Sequence, residues 1–137
     1  MAVAADDFIK PNGLAFSTIE THLFIADSDL SHDPDGPYHI RVFDVTGSNN
    51  LKRCEVFVEV SPGVPEGFRF DDRGNLWSSA QDGVRVFDPD GNPLGRIRMP
   101  QMAANLTFGG PRRNRLFIAS TQTLCAVCVG ISGAQRP

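Results

Sequence analysis

The sequence predicts an all-β protein, on three observations. Short stretches of period-two apolar and polar alternation recur along the chain, bounded by Gly, Pro, Asp and Asn. No window of eleven or more residues carries a convincing 3.6-residue apolar period. Gly and Pro supply 23 of the 137 residues, a turn-rich share for a helical protein. Strands are expected at His22–Ser28, His39–Val45, Glu55–Val60, Phe68–Asp71, Gly83–Asp88, Arg96–Met99, Leu106–Phe108, Arg115–Ala119 and Leu124–Val129. Within Gly83–Asp88, for example, Val84 and Val86 share one face while Arg85 and Phe87 share the other.

The strands repeat as groups. Pro11-Asn12-Gly13-Leu14-Ala15-Phe16 lines up with Pro65-Glu66-Gly67-Phe68-Arg69-Phe70, and a third copy reads Ala104-Asn105-Leu106-Thr107-Phe108. The second strand of each group is Leu23-Phe24-Ile25-Ala26, Leu76-Trp77-Ser78-Ser79 and Leu116-Phe117-Ile118-Ala119. The third is Ile40–Asp44, Val84–Asp88 and Leu124–Val129. The outer strand is Glu55–Val60 in the first group and Leu94–Met99 in the second; the third group lacks a good one. Turns are expected at Asp72-Arg73-Gly74-Asn75 and Asp88-Pro89-Asp90-Gly91-Asn92, and the first group's extra residues fall in the loop Asp27–Pro37.

Repeats of 54 and 39 residues with three or four strands each suit the blades of a β-propeller. Residues 1–137 are read as one propeller fragment with blades near 11–60, 64–100 and 104–131. Three blades fall short of the roughly four to eight that close a ring. A second copy of the chain, or a missing N-terminal half, is therefore expected to complete it.

Composition excludes several function classes. Thirteen Lys and Arg against sixteen Asp and Glu give a net charge of −3, opposite to the basic footprint of a nucleic-acid binder. No apolar run approaches the roughly 20 residues of a membrane span. Asp6 and Asp7 follow the small apolar start, with no basic flank, so no targeting signal is read and a cytoplasmic location is expected. Cys54, Cys125 and Cys128 are too few for a disulfide framework. Cys125-x-x-Cys128 is not read as a metal or redox motif, because positions i and i+3 of a strand face opposite ways. The acidic loop Asp27, Asp29, Asp33, Asp35 lacks the spacing of a calcium loop and is read as solvated. No Gly-x-Ser-x-Gly elbow exists, and His22, His32 and His39 form no triad pattern. Arg41 and Arg85 recur at one position of the repeat, where packing roles account for them.

Asn12, Glu66 and Asn105 are read as one register, just before the first strand of each group. Equivalent positions in a propeller point to equivalent places around its axis, so three oxygen-bearing side chains would converge there. Oxygen ligands suit a hard divalent cation: Ca²⁺ first, with Zn²⁺, Mg²⁺ and Mn²⁺ as alternatives. For the two asparagines the other reading is a turn residue, and for Glu66 a solvated turn carboxylate.

The segments Lys10–Ser17, Leu23–Ser28, Ile40–Val45, Pro65–Arg69, Gly74–Trp77 and Ala104–Gly110 resemble the senescence marker protein/regucalcin/gluconolactonase family, in order and over nearly the whole chain. The resemblance implies a six-bladed β-propeller, of which this chain is similar to the C-terminal half. It also implies one divalent cation in the central channel and hydrolysis of sugar lactones, small-molecule cyclic esters. It places Asn12 as a metal ligand and Glu66 as metal ligand and catalytic base, where the family usually has Asp. Asn105 is assigned to the substrate channel. A further metal-binding Glu and Asn of the family have no counterpart among these 137 residues. The function expected is thus a metal-dependent lactone hydrolase, and the alternative is a non-catalytic half-propeller that binds a partner or itself.

Overall fold

The computed structural model describes residues 1–47 and 50–134; positions 48, 49 and 135–137 lie outside the described residues. Three antiparallel sheets make up the chain, and no α-helix occurs among the described residues. Sheet I contains β1 (Pro11–Phe16), β2 (His22–Asp27), β3 (His39–Thr46) and β4 (Asn50–Glu59). Sheet II contains β5 (Phe68–Phe70), β6 (Leu76–Ala80), β7 (Gly83–Phe87) and β8 (Pro93–Arg98). Sheet III contains β9 (Ala103–Gly109), β10 (Arg115–Ser120) and β11 (Leu124–Cys128). Each is a meander in which consecutive strands pair, the pattern of a propeller blade. The outer strand β4 starts earlier than the alternation in Glu55–Val60 suggests, because its first residues pair back along β3 to Thr46.

Alternation dictates how the sheets stack. Ala15, Phe24, Ala26, Ile40 and Val58 point from sheet I onto Phe68, Phe70, Leu76 and Phe87 of sheet II, forming one core. The opposite face of sheet II sends Trp77, Val84 and Val86 against Leu106, Leu116 and Ile118 of sheet III, forming a second. Sheet II is therefore sandwiched, and its strands β6 and β7 are buried almost throughout. The outward faces of sheets I and III remain open. Leu14, Phe16 and Val56 are 58%, 44% and 54% exposed on the first, and Leu124 is 72% exposed on the second.

The turns repeat as closely as the strands. Asp71 accepts the N–H groups of Arg73 and Asn75 and the Asn75 amide, and Asp88 does the same for Asp90 and Asn92. Gly74 and Gly91 take the left-handed conformation this loop requires, at φ 81° and 84°. Asn92 holds the Asp88 carboxyl below its usual pKa by hydrogen bonding to its ionised form. Asp71 is buried and also receives Trp77 Nε1–H at 2.9 Å, which ties the turn to the second core.

Both chain ends described here are stitched to the sheets. The segment after β11 crosses back to sheet II, where Asp72 N–H donates to Ser132 O and Ala134 N–H to Phe70 O. Near the start, Arg41 pairs with Asp7 and lies 4.3 Å from the Phe8 ring centroid. Arg85 instead pairs with Asp82 on its own sheet. Asp27 departs from the solvated-loop expectation. It is only 3% exposed and accepts the N–H groups of Ile9 and Lys10, so it fixes the entry of the chain into β1. The rest of that loop makes a single 3-10 turn at Asp29–Ser31.

Candidate functional site

The innermost strands β1, β5 and β9 begin side by side, and two backbone hydrogen bonds join them. Gly13 N–H donates to Glu66 O at 2.8 Å, and Gly67 N–H donates to Ala104 O at 3.1 Å. Glycine is required at both positions by contact rather than by φ. A Cβ on Gly13 would sit 2.0 Å from Glu66 O, and one on Gly67 would sit 2.2 Å from Asn105 Oδ1. Close approach of successive sheets therefore sets the Asn12-Gly13 and Glu66-Gly67 backbones side by side. Asn12 is exposed and Glu66 half-buried, and no hydrogen bond or ion pair engages either side chain among the described residues.

Asn105 stands one position off the expected register. Leu14 pairs with Ile25 and Phe68 with Ser78, and the corresponding pair in sheet III is Leu106 with Ile118. Ala104 thus occupies the station of Asn12 and Glu66, while Asn105 occupies that of the two glycines. The β9–β10 hairpin is longer than its counterparts and turns through Gly110 at φ 82° and Arg113 at φ 51°. Counting back from Leu116 as if the hairpins were equal shifts the register by one. Asn105 still lies against Gly67, but its Oδ1 accepts Leu106 N–H at 2.8 Å, so that oxygen is engaged within its own strand.

Two serines that the sequence reading passed over hold the Glu66 segment. Ser79 Oγ accepts Glu66 N–H at 3.0 Å and Gly67 N–H at 3.1 Å, and Ser79 N–H donates to Gly67 O. Ser28 donates its hydroxyl to Pro65 O. Both serines are fully buried. A signal for Ser79 existed, since the other repeats carry Ala26 and Ala119 at its position, and a hydroxyl buried there must have a partner. Ser79→Ala should strand the Glu66 N–H, leave Gly67 N–H only its bond to Ala104 O, and destabilise the fold by about 1–3 kcal/mol, measured by urea denaturation.

Asn12 Oδ1 and the Glu66 carboxylate are hard oxygens of the kind Ca²⁺ or Mg²⁺ takes. They fit part of such a site. No group of three or more His, Cys, Asp or Glu converges among the described residues, and Cys54, Cys125 and Cys128 are free and exposed.

Comparison with known proteins agrees with this architecture. A gluconolactonase of Zymomonas mobilis is 34% identical over 123 residues, covering 86% of this chain and 34% of its own. The solved gluconolactonase of Xanthomonas campestris superposes with a TM-score of 0.81 at 36% identity, covering 96% of this chain and 40% of that one. A calcium-binding regucalcin of Agrobacterium tumefaciens shares the fold, with a TM-score of 0.75 at 21% identity, over 95% of this chain and 48% of that one. The chain spans about a third of the length of the curated relatives it matches. Residues 1–122 match the model of the SMP-30/Gluconolactonase/LRE-like region. With three stacked meanders and glycines at their points of closest approach, this chain belongs to the SMP-30/gluconolactonase/LRE-like family.

Proposed function

We propose that this chain serves in the divalent-cation-dependent hydrolysis of sugar lactones, with Asn12 and Glu66 as two of the cation's ligands. The observation that carries the reading is the adjacency of Asn12-Gly13 and Glu66-Gly67, locked by the Gly13 N–H to Glu66 O bond. Its relatives named gluconolactonase and pentonolactonase support the substrate class. Ca²⁺ is the first choice of ion. A bound divalent cation supplies Lewis acidity, polarising the ring carbonyl. Glu66 is the base of the reaction: its half-buried carboxylate takes a proton from the attacking water and is held in place through its own N–H on Ser79. The three free thiols support a cytoplasmic setting. Among the described residues no helix is long and apolar enough to cross a membrane.

The test is hydrolysis of glucono-δ-lactone with and without a chelator. Activity that falls on chelation and returns with Ca²⁺ supports the reading, and chelator-insensitive activity rejects it.

A second reading is favoured by the two open faces. Leu14, Phe16 and Val56 on sheet I and Leu124 on sheet III leave apolar surface uncovered. In this reading the chain is a self-association module, face I of one copy against face III of another. Leu14→Lys should then shift the sedimentation coefficient from dimer to monomer. A monomeric parent protein rejects it.

A further inference from the structure

Among the described residues, Arg69 is the half-buried arginine of sheet II without a carboxylate partner. Arg85 and Arg96 both reach Asp82, and Arg98 is exposed on the outer strand. Arg69 sits in the middle of β5, on the face turned to sheet III, at a position where sheet I carries Ala15 and sheet III carries Thr107. Its Nη1–H donates to Phe68 O at 2.7 Å, whereas its Nε is buried without any partner. A half-buried guanidinium with neither a counter-charge nor full hydrogen bonding is costly, so the position calls for an anion.

The guanidinium opens onto a cleft of about 400 Å³, within the range of ligand sites. Its polar lining is Arg69, Asn105 and Thr107; Leu106, Phe117 and Leu124 supply apolar wall, and no carboxylate lines it. Asn105 Oδ1 is committed to Leu106 N–H, which fixes the amide orientation and leaves Nδ2–H₂ as the group that can serve a ligand. The cleft therefore presents donors: a guanidinium, an amide and a hydroxyl. Planar oxyanions are the ligands such a fork suits best.

We propose that Arg69, with Asn105 and Thr107, forms an oxyanion-recognition site that takes the carboxylate or phosphate of a sugar acid. The choice of a sugar acid rests on the lactone reading above, since opening a lactone leaves a carboxylate; the anion site itself rests on the three side chains. Asn105 acts here as a donor to the ligand, a role distinct from holding a cation.

Calorimetric titration in the presence of a chelator tests the site apart from any metal or turnover. The probes are D-gluconate, 6-phospho-D-gluconate, inorganic phosphate and neutral sorbitol. At least one sugar acid should bind saturably and sorbitol should not. Tighter binding of 6-phosphogluconate and phosphate than of gluconate assigns the phosphate, and equal binding of the two sugar acids assigns the carboxylate. Arg69→Gln should weaken binding at least about tenfold, with Arg69→Lys intermediate, because the bidentate fork is lost while the charge is kept. Asn105→Asp keeps the acceptor for Leu106 N–H, and therefore the fold, yet should weaken binding by setting a negative charge against the anion. Unfolding midpoints of all three variants are read alongside, and only variants that melt as the parent does enter the comparison. Equal affinity in parent and folded variants, equal binding of sorbitol, or no binding of any anionic probe overturns the proposal. Arg69-dependent anion binding by a protein inactive on lactones would keep the site and reject the hydrolase. Lactone hydrolysis without Arg69-dependent binding would do the reverse.

Discussion

Gly13→Ala should lose a large part of the folding free energy although it adds only one methyl group. The added methyl would lie 2.0 Å from Glu66 O and 3.2 Å from Gly67 Cα, both backbone atoms that no rotamer change can move aside. Sheets I and II would have to part along their inner edge. Overpacking of this kind costs about 1–3 kcal/mol, and loss of the Gly13 N–H to Glu66 O bond adds about 1 kcal/mol. Against a total stability of roughly 5–15 kcal/mol, that is enough to broaden or abolish the unfolding transition. Gly95→Ala on β8 is the control, since a Cβ there meets nothing within 4 Å. Urea denaturation of the two variants should show a much lower midpoint for the first and an unchanged one for the second. Equal midpoints would show that the inner strands do not approach as closely as described.

Glu66→Gln should produce the largest change in activity. The substitution keeps side-chain size and the backbone N–H to Ser79 Oγ but removes both the charge and the basic oxygen. Loss of a positioned base lowers rates by about 10²–10⁴-fold. Weaker cation binding would add to this. Glu66→Asp shortens the side chain by one methylene, to the residue the family usually carries, and should retain or raise activity. A half-maximal cation concentration that rises for Glu66→Gln but not for Glu66→Asp would assign both functions to the carboxylate. Unchanged turnover in Glu66→Gln would make Glu66 a bystander.

The fold was legible because each rule that sets it is local. Alternation in Gly83–Phe87 fixed which side chains enter which core, and Asp-x-x-Gly-Asn appears twice as the same turn chemistry around Asp71 and Asp88. The limits lay where the third dimension decides. Asn105 reads as the partner of Asn12 and Glu66 in sequence, because asparagine matches asparagine and the hairpin after β9 hides its extra length. Pairing of Leu106 with Ile118 places Ala104 there instead. Asp27 reads as one acid in an acidic loop, yet its partners are the amides of Ile9 and Lys10, eighteen and seventeen residues away. Ser28 and Ser79 read as ordinary strand residues in the sequence until the Pro65–Gly67 segment is laid across them. Arg69 alternates correctly with Phe68 and Phe70, and only the cleft beside β9 shows that its charge lacks a partner.

Everything functional depends on Asn12 and Glu66 serving one ion together. Calorimetric Ca²⁺ titration of the parent protein, Asn12→Ala, Glu66→Gln and the double variant measures that directly. One site per chain is predicted in the parent, strongly weakened in either single variant. The double variant should bind little more weakly than the worse single one, because two ligands of a shared ion are coupled. Fully additive losses, or Ca²⁺ binding that survives both substitutions, would contradict the account.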